Sequence, residues 1–135
     1  MTDVRLFVAD APSGDWSELT DGAQRTVRVA APDLQQARRA RARIRARGED
    51  VAVILDVTVA VAGDFRSARR VLGPTDHTVH YAGTVDGLAG LISDIASAEV
   101  ADGVTLIPAS PRQDLRELGR DVLHRLASRD HSRAS

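Results

Sequence analysis

The sequence predicts an α/β fold, a partial (half) TIM barrel of about four to five parallel strands alternating with helices. Three observations lead there. Short β-branched runs alternate with amphipathic helical periods from Thr26 to Ala127, the pattern of a parallel strand-helix layer. The unit occurs four times, whereas closing a (β/α) barrel takes eight strands and about 250 residues. The length of 135 residues, 43% of them hydrophobic and 27% charged, suits one domain able to bury roughly two-thirds of the surface its unfolded form exposes. An open half-barrel is expected to leave its inner face uncovered and therefore to need a complement. Residues 1–127 read as that single domain, and 128–135 as a polar, disordered tail.

The first strand is Val4 to Ala9. The connection from Asp10 to Arg25 contains Pro12, Gly14 and Gly22, and connections of that length are usually binding loops or mobile ones. The only Trp, Trp16, lies in it. It either stacks on a planar ligand or pins the loop to the core, and the preference of large aromatics for burial favours pinning. Thr26 to Ala30 gives a second short strand. Pro32-Asp33 then opens a helix to about Arg47, which Gly48 ends.

Within that helix Leu34, Ala37, Ala40 and Ile44 share one face, and six Arg fall between Arg38 and Arg47 with no acid among them. Such a run is either a phosphate-contacting face or a solvated outer face whose Arg stems cover apolar surface. The second reading is favoured, because no aromatic platform or base-reading motif accompanies the run.

Val51 to Val61 alternates clearly. Val51, Val53, Leu55, Val57, Val59 and Val61 project one way and are expected under helices, while Ala52, Ile54, Asp56, Thr58 and Ala60 project the other. Asp56 and Thr58 would then be inward polar groups. A buried carboxylate needs a partner or a raised pKa, so Asp56 is either a candidate acid or base or, the favoured reading, an Arg- or backbone-satisfied structural residue. Asp64 is expected to cap a short helix through Val71 and Leu72, ended by Gly73-Pro74.

His77 to Tyr81 is the next strand. Gly83-Thr84 turns it into a helix with Leu88, Leu91, Ile92 and Ile95 at helical spacing, and Thr84 is a good N-cap. His77 and His80 fall on opposite faces of their strand, which argues against shared metal ligation. An inward His80 beside Asp56 would be a conceivable proton-transfer pair, a reading less favoured than a structural one. Val104 to Ile107 is the last strand. Ser110-Pro111-Arg112-Gln113 reads as a capped helix start, and Leu115, Leu118, Val122 and Leu126 form the buried stripe of that helix.

Composition narrows the function. The formal charge of −1 gives no global attraction for nucleic acid or an anionic membrane. All 18 basic residues are Arg, which we read as coding bias. No Cys is present, so disulfides, thiolate nucleophiles and Cys-based zinc sites are excluded. The longest apolar stretch is too short to span a bilayer, the N-terminus lacks a secretory pattern, and a cytoplasmic location is expected. No metal site and no catalytic triad can be assembled from these residues.

Taken in order, Ile54-Leu55-Asp56-Val57-Thr58-Val59, Tyr81-Ala82-Gly83-Thr84 with its Leu88 to Ile92 helix, Asp102-Gly103-Val104-Thr105-Leu106-Ile107-Pro108 and Asp114-Leu115 resemble the C-terminal part of the bacterial luciferase-like monooxygenases. The resemblance covers most of the chain, and Val85 departs from it where the family usually has Pro. It implies descent from a TIM-barrel flavin-dependent oxidoreductase using FMN or F420. In that family a Gly/Ser-rich segment contacting the flavin phosphate precedes the strand matching Val4 to Ala9, and this sequence begins after it. The resemblance carries over only Gly83 and Thr84, as part of the rim near the cofactor, and no catalytic residue. It implies a half-barrel that completes an oxidoreductase by pairing with a separate N-terminal half, and that is not active alone. The alternative is a non-catalytic α/β module that associates with itself as a homo-oligomer, or a truncated remnant of such an enzyme.

Overall fold

The computed structural model describes residues 4–10, 15–48, 50–61, 78–109 and 114–134, with 129–134 as backbone only. Six strands, β1 (Arg5–Ala9), β2 (Trp16–Glu18), β3 (Thr26–Val29), β4 (Ala52–Val61), β5 (Val79–Gly83) and β6 (Gly103–Pro108), form one curled, open sheet with the outline of a half-barrel. Among the described residues three helices accompany it: α1 (Leu34–Ala46), α2 (Val85–Ser97) and α3 (Leu115–Ala134). The α/β class and the half-barrel outline follow the sequence expectation.

Two features correct that expectation. The sheet is mixed, because β2 runs antiparallel to β1, within a stretch the sequence presents as connection. The strands are also not in sequence order around the arc. The path is β2-β1-β6-β4-β3, with β5 on β4, so β6 is inserted between β1 and β4. β3 and β5 pair with successive halves of β4, at Ala52 to Leu55 and Val57 to Val61.

Helix ends follow local chemistry. The Asp33 side chain accepts the Gln36 N–H at 2.8 Å and caps α1. Gly48 follows α1 with φ 76°, the left-handed conformation that glycine adopts without a Cβ penalty. The expected Ser110 to Gln113 cap lies outside the described residues, as do His77 and the helix expected after Asp64. The Asp114 carboxylate accepts the Glu117 N–H at 3.1 Å, so Asp114 caps α3 as described. That helix continues to Ala134 through the segment expected as a disordered tail. No Gly or Pro occurs after Gly119 to interrupt it.

One face of the sheet is the main core. Leu6, Val8, Leu55, Val57, Val59, Val104 and Leu106 meet Leu88, Ile92 and Ile95 of α2 and Leu115, Leu118 and Val122 of α3. The aliphatic row of β4 therefore lies under helices, as its alternation requires. α2 and α3 pack against each other, and α3 lies over β1 and β6. α1 is docked by Ala37 and by ions: Arg41 and Arg45 both reach Asp102, at 2.9 and 3.5 Å.

The other face is not uncovered, which corrects the expectation of an exposed interior. Ala52, Ile54, Asp56, Thr58 and Ala60 of β4 are all buried, as are Phe7, Thr105 and Ile107. Part of the cover comes from the chain's own N-terminal region. Trp16 stacks on Phe7 with ring centroids 4.1 Å apart, and the Arg28 guanidinium lies over the indole at 5.2 Å. Trp16 and Arg28 belong to β2 and β3, the two ends of the strand path. They meet because the sheet curls enough to bring its edges together across the concavity.

Candidate functional site

The concave face carries the polar residues singled out in the sequence. Asp56 is 2% exposed, and its Oδ1 accepts the Arg28 Nε–H at 2.7 Å. A buried carboxylate is costly unless paired and hydrogen-bonded, and Arg28 supplies the charge. Of the two structural readings of Asp56 favoured by the sequence, Arg-satisfied or backbone-satisfied, the first is found. Val27 and Val29 flank Arg28, and strand alternation puts it on the face opposite them, but only the β3–β4 register brings it to Asp56.

Two residues along β4, the Thr58 and Thr78 hydroxyls lie 2.6 Å apart. His80 is paired in register with Thr58, but it is exposed, and its Nδ1 lies 3.0 Å from the Thr78 carbonyl. The structure does not bring His80 and Asp56 together as a proton-transfer pair. Thr105 lies abreast of Asp56 and Phe7 in register and is fully buried. Sequence reasoning missed it, although the alternation of Gly103 to Pro108 places it on the Asp56 face.

At the base of the same face Arg5 anchors the segment after β2. Its Nε and Nη2 donate to the two Glu18 oxygens at 2.8 and 2.7 Å, and its Nη groups reach the Gln24 and Gly22 carbonyls. The Arg5 hydrogen bond holds the Glu18 carboxyl below its ordinary pKa, against the opposing pull of burial.

Gly83 and Thr84 sit at the rim, where β5 enters α2. Thr84 is the N-cap, its Oγ1 accepting the Gly87 N–H at 3.2 Å. The Tyr81 hydroxyl donates to the Thr84 carbonyl at 2.8 Å. A Cβ at Gly83 would come within 2.5 Å of that hydroxyl, and one at Gly87 would also collide with it. Glycine at both positions therefore makes room for Tyr81. A flavin phosphate needs free amide donors or cations. Here Thr84 already takes the Gly87 N–H, and Asp86 puts a negative charge in the first turn. That carboxylate, itself 3.5 Å from Arg125, disfavours a phosphate at this helix start.

A cleft of about 500 Å³ opens at the C-terminal ends of β1 and β6, lined by Ala9, Asp10, Asp15, Pro108, Asp114 and Arg116 among others. Parallel α/β sheets bind ligands at this edge. Among the described lining residues three carboxylates stand against one Arg, a balance unfavourable for an anion. Among the described residues no group of His, Cys, Asp or Glu could hold a metal ion. No described helix is long and apolar enough to cross a membrane.

The Arg-rich helix divides. Arg38, Arg39, Arg43 and Arg47 are exposed, while Arg41 and Arg45 are drawn to Asp102, whose Oδ2 also accepts the Val53 N–H at 2.7 Å. Burial works to raise the Asp102 pKa, but the Arg41 hydrogen bond, the Val53 N–H and the two Arg charges outweigh it and hold the carboxyl below its ordinary value. A folded pKa below the unfolded one contributes stability that is complete above the ordinary carboxylate pKa of about 4 and is lost as pH falls through the folded value. Urea midpoints measured from about pH 6 down to about pH 2 are expected to fall for the wild type and to fall less steeply for Asp102→Asn. Parallel curves would show that Asp102 does not contribute.

Fold and site together define an α/β protein with a curled mixed sheet, a self-filled concavity and an acidic cleft at its C-terminal edge. Compared with known proteins, the chain matches no family model and no curated sequence.

Proposed function

We propose that this chain is an arc of a TIM-type barrel related to the luciferase-like monooxygenases, contributing barrel wall to a flavin- or F420-dependent oxidoreductase when joined by a complementary half. The observation that carries this reading is the parallel path β3-β4-β6-β1. Strands in a closed sequential barrel neighbour one another in order, and the first closes against the last. Here β1 pairs with β6, the last described strand, as at such a seam, while β6 lies against β4 and not β5, a departure from sequential order. The cofactor's phosphate falls to the complementary half, a separate N-terminal chain, as the resemblance implies. Substrate oxidation would be the reaction of the assembled enzyme, with bound flavin or deazaflavin supplying the redox chemistry.

The filled concavity favours a second reading, a non-catalytic α/β module or remnant that needs no complement. Light scattering with FMN and F420 titrations, on the chain alone and mixed with an N-terminal barrel half, separates the two. Complex formation and cofactor binding only in the mixture are expected. A folded chain that forms no complex and binds neither cofactor in the mixture would overturn the oxidoreductase reading.

A further inference from the structure

The concave face holds a polar atom that packing alone does not account for. The Thr105 hydroxyl is buried without a hydrogen-bond partner among the described residues. An unsatisfied buried hydroxyl costs stability that a Val of similar shape would not. In register Thr105 lies between Phe7 of β1 and Asp56 of β4, at the spacing of cross-strand neighbours. Over this row the Trp16 indole lies on the Phe7 ring at 4.1 Å with 21° between planes, and the Arg28 guanidinium is 5.2 Å from the indole centroid. A flat heteroaromatic on an aromatic platform, beside a cation and a polar row, is how a ring-shaped ligand would be held. Here the occupant is the chain's own side chain. Trp16 is half-buried and begins a three-residue edge strand, whereas Glu18 at the other end of that strand is clamped by Arg5. Among the described residues, opening would take Trp16 and Ser17 off β1, hinged at Glu18.

We infer that the concave face is a binding slot for a planar heteroaromatic ring, sealed by Trp16, in which the ligand stacks on Phe7 and hydrogen-bonds to Thr105. The inference goes beyond the barrel-wall reading and does not need it. The test is calorimetric titration of the wild type, Trp16→Ala and Trp16→Ala/Thr105→Val with adenosine and with riboflavin, each variant first checked for folding by circular dichroism. Removing the plug is expected to tighten binding of at least one probe by about tenfold, the worth of one aromatic stacking contact. Thr105→Val is expected to reverse that gain while raising the thermal midpoint. A folded Trp16→Ala that binds neither probe, or binds one with no response to Thr105→Val, would overturn the slot. Should Trp16→Ala not fold, Trp16→Leu keeps apolar volume without the ring and is judged by the same outcomes. Adenosine binding without riboflavin binding supports the slot and counts against the flavin reading alone.

Discussion

Arg28→Ala is expected to lower the unfolding free energy by about 3–5 kcal/mol, the cost of leaving one partner of a buried ion pair uncompensated. The Asp56 side chain is 3% exposed and that of Arg28 18%. Removing the cation therefore strands a carboxylate with little access to water, and it also takes away the contact over Trp16. Asp56→Asn should lose less, because its amide oxygen still accepts from Arg28 and the charge left behind is that of Arg28, the more exposed of the two side chains. Urea unfolding followed by far-UV circular dichroism measures both, with Arg39→Ala on exposed α1 as the reference. If Arg28→Ala and Arg39→Ala differ by less than about 1 kcal/mol, the range of an exposed pair, the pair does not hold the concave face together.

Leu106→Ala is expected to cost about 2–5 kcal/mol, from lost transfer energy plus the cavity left behind. Leu106 is wholly buried in the main core. It is in register with Val8 on one side and Val57 on the other, so the hole would be walled by strands that cannot collapse without breaking their ladders. Leu123→Ala, on the partly buried margin of the same cluster, should cost clearly less in the same assay. Equal losses would mean that the helix-covered face is not the principal core.

These two variants probe faces that the sequence reveals unequally. The Leu106 face was legible residue by residue: Val53, Leu55, Val57 and Val59 alternate along β4, and Leu88, Ile92, Ile95, Leu118 and Val122 recur at helical spacing. Periodicity is a local property, and it survives folding because a helix-covered sheet buries whole rows. The Arg28 face was legible only in part. Asp56 stood out as an inward carboxylate satisfied by an Arg or by backbone, but which of these, and which Arg, was not legible, since β3 and β4 are joined through a helix and register is not written in either strand alone. β2 was missed because three residues, one of them Ser, carry no alternation to detect. The less favoured proton-transfer pairing of His80 with Asp56 did not form: His80 is exposed, in register with Thr58, and Asp56 is paired with Arg28.

By itself, then, the sequence determined the α/β class, the rows under the helices, the caps at Asp33 and Thr84 and the pinned Trp16. Apart from Trp16, which follows from the burial preference of large aromatics, these follow from spacing within a few residues. Only the tertiary structure decided that β6 enters between β1 and β4, that β2 turns antiparallel, and that Trp16 and Arg28 meet across the concavity. Those outcomes depend on the curl of the sheet and on which distant edges it brings into contact, energies that exist only once the strands have paired.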